Sequence, residues 1–426
     1  MRSKYFLSVT VALFCAGTGR AQITLNTAPT REIGQPRLLS SSPFAIPNAN
    51  PNLVEGREFY SPTGVALDTS VTPPRIYVAD TGNNRILAWK DAVNFTKGNG
   101  EMADLVIGQL DFFSTGANST GHSVSAGLAS PTGLAVDQTT GDLYVADSGN
   151  NRVLRFRKPF TTPPDQLTPD LCIGQPSFNT NGANYPLNQA ATPTVNGIAL
   201  NSGGSVFIAA ITFDAQHNLW LTDAGNNRVL RYKAADVAKG GFATTISADL
   251  EIGQLDFVSR QPNLPNTATG AQTKNQLTTP AAIAFDTAGR LYIADSDGSS
   301  TPTLQNRVLV FLPPFTTGMS ATRVMGAQPA TIAGAPDRTD PQIYAIAMWN
   351  PAAIFFLPGT QGMGVVDSYY SRILIFDPYD KWDSDTTISP SAKAVFGHAS
   401  GIGGISHTDT KSLYANDGNP RPRPAR

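Results

Sequence analysis

The sequence predicts an all-β fold built from one four-stranded unit stacked repeatedly, on three observations. A phrase recurs five times: Asp80-Thr-Gly-Asn-Asn84-Arg85, Asp147-Ser-Gly-Asn-Asn151-Arg152, Asp223-Ala-Gly-Asn-Asn227-Arg228, and two degraded copies. The degraded copies are Asp295 to Arg307, with residues 297–304 inserted, and Asp367-Ser-Tyr-Tyr-Ser-Arg372. The leading aspartates stand 67, 76, 72 and 72 residues apart. Around each copy lie four short runs rich in Val, Ile, Leu, Tyr and Phe, punctuated by Gly, Asn, Asp and Pro. A fixed period marks one structural unit repeated for packing, and runs of that composition between turn residues read as strands.

The second unit shows the elements in order. Strand a is Gly133-Leu-Ala-Val136, apolar on both faces, as an inner strand between neighbouring units should be. Strand b is Leu143-Tyr-Val-Ala146 and ends at the phrase. Strand c, Arg152-Val-Leu-Arg-Phe156, alternates and is expected nearer the solvent. Strand d is Leu171-Cys-Ile-Gly174. In the b–c turn, Gly and Asn are expected to supply positive φ. The Asp is expected to accept from turn backbone groups, and the Arg to pair with a carboxylate nearby or in the next unit. The third unit offers two versions of strand a; Ala210–Asp214 is the better one, and the stretch from Val195 reads as an inserted hairpin.

Four-stranded units set about a centre make a β-propeller. The pattern Pro131-Thr-Gly-Leu-Ala-Val-Asp137 followed by Leu143-Tyr-Val-Ala-Asp147-Ser-Gly-Asn-Asn-Arg152-Val resembles the NHL repeat family over about residues 60–400. The resemblance implies four-stranded blades at 58–400. It also raises two enzyme types. The peptidyl-hydroxyglycine lyase propeller holds zinc on several inner histidines, and lactonase-type propellers hold calcium on Glu, Asn and Asp in the channel. Here the histidines are His122, His217, His398 and His407, none within an inner strand and no two at metal-ligand spacing. The repeated Asp68, Asp137, Asp214 and Asp286 read as structural. No catalytic residue, metal ligand or cofactor is assigned. The repeat residues Asp80, Asn84, Arg85, Asp147, Asn151, Arg152, Asp223, Asn227, Arg228, Asp295, Arg307, Asp367 and Arg372 read as a structural motif, because five near-equivalent copies cannot all be one active site.

Residues 1–21 read as a signal peptide: Arg2 and Lys4, an apolar stretch from Tyr5 to Ala16, then small residues up to Ala21. The stretch is too short for a span of about 20 residues. The expected location is therefore secreted or periplasmic, with no transmembrane segment. Without the leader the chain carries 28 basic against 32 acidic residues, which argues against nucleic acid as a partner. Cys172 is then the only thiol, and in strand d it reads as a small apolar residue.

The d–a crossovers, about 110–130, 176–208, 255–279 and 328–350, are long enough to carry function. Their aromatics (Phe112, Phe113, Phe178, Tyr185, Phe257, Tyr344, Trp349) are expected mainly to pack beneath the loops. The resulting reading is a non-catalytic scaffold binding an unknown protein, peptide or glycan on a loop face. The alternative is a lyase- or lactonase-type enzyme with a metal in the channel.

The Ile-Gly-Gln element of strand d appears six times, with its glycine at Gly34, Gly108, Gly174, Gly253, Gly326 and Gly397, whereas strands a to c appear five times. Within the N-terminal segment 22–57, the first copy reads as a closing strand near 32–36, shared with a blade from the C-terminal side. The expectation is five recognisable blades of a six-bladed ring. A sixth Asp is due near positions 436–446, and 401–426 reads as a flexible, truncated d–a loop.

Overall fold

A computed structural model of the protein describes residues 33–34, 54–94, 101–119, 127–163, 166–262, 274–296, 306–326, 346–368, 372–382 and 390–396. The leader, the tail 401–426, His122, His398, His407, Tyr344 and Gly397 lie outside these residues.

The described strands form five sheets, each with four antiparallel strands in meander order; the second takes a fifth strand in parallel, and a two-stranded hairpin lies apart. Sheet I is β1 (Gly64–Asp68), β2 (Arg75–Asp80), β3 (Arg85–Trp89) and β4 (Leu105–Ile107). Sheet II is β5 (Pro131–Asp137), β6 (Asp142–Asp147), β7 (Arg152–Phe156) and β8 (Leu171–Ile173). A hairpin, β9 (Asn201–Ser202) and β10 (Ser205–Val206), interrupts the next crossover. Sheet III is β11 (Ile211–Phe213), β12 (Leu219–Asp223), β13 (Arg228–Tyr232) and, after the helix α1 (Ala234–Lys239) and strand β14 (Gly241–Phe242), β15 (Leu250–Ile252). Sheet IV is β16 (Pro280–Phe285), β17 (Leu291–Asp295), β18 (Arg307–Phe311) and β19 (Arg323–Met325). Sheet V is β20 (Pro351–Phe356), β21 (Met363–Asp367), β22 (Arg372–Phe376) and β23 (Ala394–Phe396). This is the arrangement of a five-bladed propeller.

The core lies between sheets rather than within any one. Ala66, Tyr77, Ile86 and Ile107 of sheet I pack against Leu134, Val145, Leu154 and Phe156 of sheet II. Sheets II and III, III and IV, and IV and V repeat this contact through separate clusters. Each strand thus needs apolar residues on both faces, which explains why the runs are continuous rather than strictly alternating. The inner strands pack in succession, β1 on β5, β5 on β11, β11 on β16 and β16 on β20.

Two expectations are corrected. Strand c is not nearer the solvent: all five residues of β7 are buried, because Arg152 and Arg155 find partners inside. The described residues build five blades, not six. Of the expected closing strand near 32–36, only residues 33–34 are described; there Gly34 pairs in parallel with Glu58 and its carbonyl accepts from the Phe59 N–H at 3.1 Å.

Candidate functional site

The repeat phrase closes on itself in each unit. In the second, Asp147 Oδ2 accepts from Arg152 Nε and from Asn150 Nδ2, both at 2.7 Å, while Oδ1 accepts from the Ala129 N–H at 2.7 Å. The same carboxylate–backbone bond runs from Tyr60 to Asp80, Ala199 to Asp223, Thr278 to Asp295 and Trp349 to Asp367. The Asp therefore binds the backbone of the preceding crossover and the side chain of the turn's first Asn, where the turn's backbone groups were expected. Arg85, Arg228, Arg307 and Arg372 pair with the Asp of their own unit in the same way. Their Nη2 atoms donate to the backbone carbonyls of Glu58, Gly197, Gln276 and Ala347, and Arg152 Nη2 to that of Gly127. Burial pushes the Asp147, Asp295 and Asp367 carboxyls up, with the paired Arg pulling each back.

Within the turn, only the second Asn takes positive φ: Asn84 at 53°, Asn151 at 48° and Asn227 at 56°. The glycine serves a different need. A Cβ at Gly149 would lie 2.6 Å from the Ala129 carbonyl, to which the Gly149 N–H donates at 2.8 Å. The second Asn also joins units. Asn151 Nδ2 donates to the Asn181 carbonyl of the crossover, and its Oδ1 accepts from the Leu200 and Asn201 N–H groups. These polar groups are engaged in hydrogen bonds within and between the units.

The a–b turns form one face. Asp68, Asp137, Asp214 and Asp286 each accept backbone N–H bonds two residues on, at Ser70, Thr139, Gln216 and Ala288. His217, at φ 61°, sits in this face 3.4 Å from Asp137 and beside Thr139. Among the described residues, no group of three or more His, Cys, Asp or Glu side chains is placed to hold a metal ion.

The opposite face carries the b–c turns and the d–a crossovers. The strand d glutamines pin the crossovers: Gln175 Nε2 donates to the carbonyls of Asn151 and Gly182, Gln254 Nε2 to those of Asn227 and Gln261, and Gln109 Nε2 to those of Asn84 and Gly116. Of the crossover aromatics, Phe178 and Phe257 pack against the inter-sheet cores, Phe112 packs on the cluster of Val78, Leu87 and Trp89 in sheet I, and Trp349 is buried. Tyr185 is half-buried, and Phe113 is exposed. Aliphatic residues missed by the sequence reading join it on this face. Leu110 and Leu255 follow the strand d glutamine in sheets I and III, Val258 occupies the position of Phe113, and Leu187 sits in the intervening crossover; all are exposed. The signal was in the paired Gly-Gln-Leu-Asp-Phe stretches at 108–112 and 253–257.

Two buried acids outside the phrase had no role in the sequence reading, although Glu251 stood out as the strand d counterpart of Val106 and Cys172. Glu251 in β15 stands where sheets I, II, IV and V carry Val106, Cys172, Val324 and Val395. It shares Arg228 with Asp223, at 3.2 Å, and burial raises its carboxyl to about 7. Glu58 is buried beside Gly34, and its carboxyl is raised to about 7, chiefly by burial and then by the neighbouring Glu55. Cys172 is buried and its thiol is pushed up to about 12, so it is an inert core residue. No helix among the described residues is long and apolar enough to cross a membrane.

Residues 128–156 match the family model described as the NHL repeat, which places the second unit in that repeat class. No curated protein matches the sequence. Solved structures similar to the chain include a nidogen/laminin complex (14% identity, 77% of this chain and 80% of that chain, TM-score 0.37). They also include a virginiamycin B lyase from Staphylococcus aureus (14% identity, 78% and 84%, TM-score 0.33). A third is a periplasmic gluconolactonase from Pseudomonas aeruginosa (11% identity, 79% and 85%, TM-score 0.40). Likeness at this level assigns neither ligand nor chemistry.

Proposed function

We propose that this NHL-repeat propeller is an exported, non-catalytic scaffold that binds a protein, peptide or glycan through the face carrying its crossovers. The observation that supports this most is the repeated display of apolar side chains there. Leu110 and Phe113 of one crossover and Leu255 and Val258 of another are exposed at equivalent positions. Apolar side chains held in fixed loops are what a binding surface requires, and packing does not call for them. The polar repeat residues, by contrast, are spent on internal bonds.

The test is a peptide and glycan array probed with purified protein, followed by titration of any hit against a Phe113→Ser, Val258→Ser double variant. The reading expects binding to weaken about tenfold or more with the melting temperature unchanged. Binding unaffected by the double variant, or turnover of the hit, would remove the proposal. Export expects mature protein beginning near Gln22; an intact N terminus on material recovered from cells would count against it.

A further inference from the structure

In sheets I, II and III the arginine of the repeat phrase also clasps the crossover that follows its sheet. Arg85 Nη1 donates to the Phe112 carbonyl at 2.5 Å, Arg152 Nη1 to that of Phe178, and Arg228 Nη1 to that of Phe257 at 3.0 Å. In sheet III a carboxylate reaches the same nitrogen. Glu251 Oε2 accepts from Arg228 Nη1 at 3.2 Å, where sheets I and II have Val106 and Cys172 in register. Both side chains of this pair are fully buried.

Arg228 has no hydrogen left to give. Nε donates to Asp223, the two hydrogens of Nη1 go to Glu251 and to the Phe257 carbonyl, and those of Nη2 go to the Thr194 and Gly197 carbonyls. Glu251 Oε1, by contrast, has no hydrogen-bond partner among the described residues. While Glu251 is protonated, the charges of Asp223 and Arg228 balance. Once it ionises, one buried negative charge is in excess and Oε1 has no donor, which costs free energy until an N–H or water reaches it. The N–H already beside the carboxylate is the one that Nη1 gives to Phe257. Burial raises the Glu251 carboxyl to about 7 against the pull of Arg228, and Asp256 of the crossover and Asp223 add to the rise. The change of state therefore falls near neutral pH.

We propose that Glu251 makes the sheet III crossover a pH-sensitive latch: neutral, it leaves Arg228 Nη1 holding the Phe257 carbonyl, and ionised, it draws Nη1 away and loosens residues 255–262. Those residues carry the exposed Leu255 and Val258. The sister stretch of sheet I shares the Gly-Gln-Leu-Asp-Phe sequence and the arginine clasp, with Val106 in place of the acid, so it stays closed across the same pH range. As regulation of ligand binding, the latch rests on the crossover face being the binding surface. Its opening is read without ligand, so the latch and that reading can fail separately.

Hydrogen–deuterium exchange of the full chain, corrected for the intrinsic effect of pH, tests this with the sheet I crossover as internal reference. Between about pH 5.5 and about pH 8.5, protection of residues 255–262 should fall about tenfold or more relative to that of residues 110–116. Glu251→Gln keeps the shape without the charge, and Glu251→Val supplies the residue type of sheet I. Each should abolish the pH dependence and hold the crossover at its low-pH protection throughout. Parallel pH profiles for the two crossovers in the parent would overturn the proposal. So would a fall at 255–262 that persists in either variant, because Glu251 would then not be the group that opens the latch.

Discussion

At the residue scale, each Asp–Arg pair is buried and shared among three or four partners, and that sharing makes it indispensable. Asp147→Asn keeps the shape but leaves Arg152 buried without its counter-charge, which costs about 3–5 kcal/mol. Chemical denaturation should show that loss with the unfolding slope unchanged. Glu251 behaves in the opposite sense. Its folded carboxyl is raised from 4.5 to about 7 by burial, so the folded form holds a proton that the unfolded chain releases. Its contribution to stability is full below pH 4.5 and is lost as pH rises towards 7. Glu251→Gln should match the parent at pH 4 and melt higher at pH 8, with the difference opening between pH 4.5 and 7. A variant that gains nothing at pH 8 would show that Arg228 keeps Glu251 usefully ionised.

At the element scale, strand order and the positive φ of Asn84, Asn151 and Asn227 were legible because the phrase and its period are local signals. Long-range partners were not. Arg155 looked like a solvent-facing residue because its partners are Asp170 and the Val237 carbonyl of α1, the latter 82 residues away. Strand β14 was equally hidden: it pairs in parallel with β8 of the preceding sheet and places Phe242 edge-on to Phe178 at 4.9 Å, contacts no periodicity announces. The strand d glutamine was seen as a marker but not as the pin of the crossover. Gln175→Ala removes two donated bonds to buried carbonyls, and a loss of about 2 kcal/mol is expected. Limited proteolysis should then cut the 176–208 crossover faster in the variant than in the parent.

At the scale of the whole molecule, the sheets cooperate because each core is shared between neighbours, and the ends of the series are its weakest points. β5 is covered on one side by β1 and on the other by β11, whereas β1 has β5 on one side and exposes Val65 and Leu67 on the other. Hydrogen–deuterium exchange followed by mass spectrometry across the full chain tests this most directly. Slow exchange is expected in β6, β7, β12 and β13, and faster exchange in β1 and β20 than in β5. Protection of β1 and β20 equal to that of β5 would contradict it, because the ring would then be closed between its fifth and first sheets.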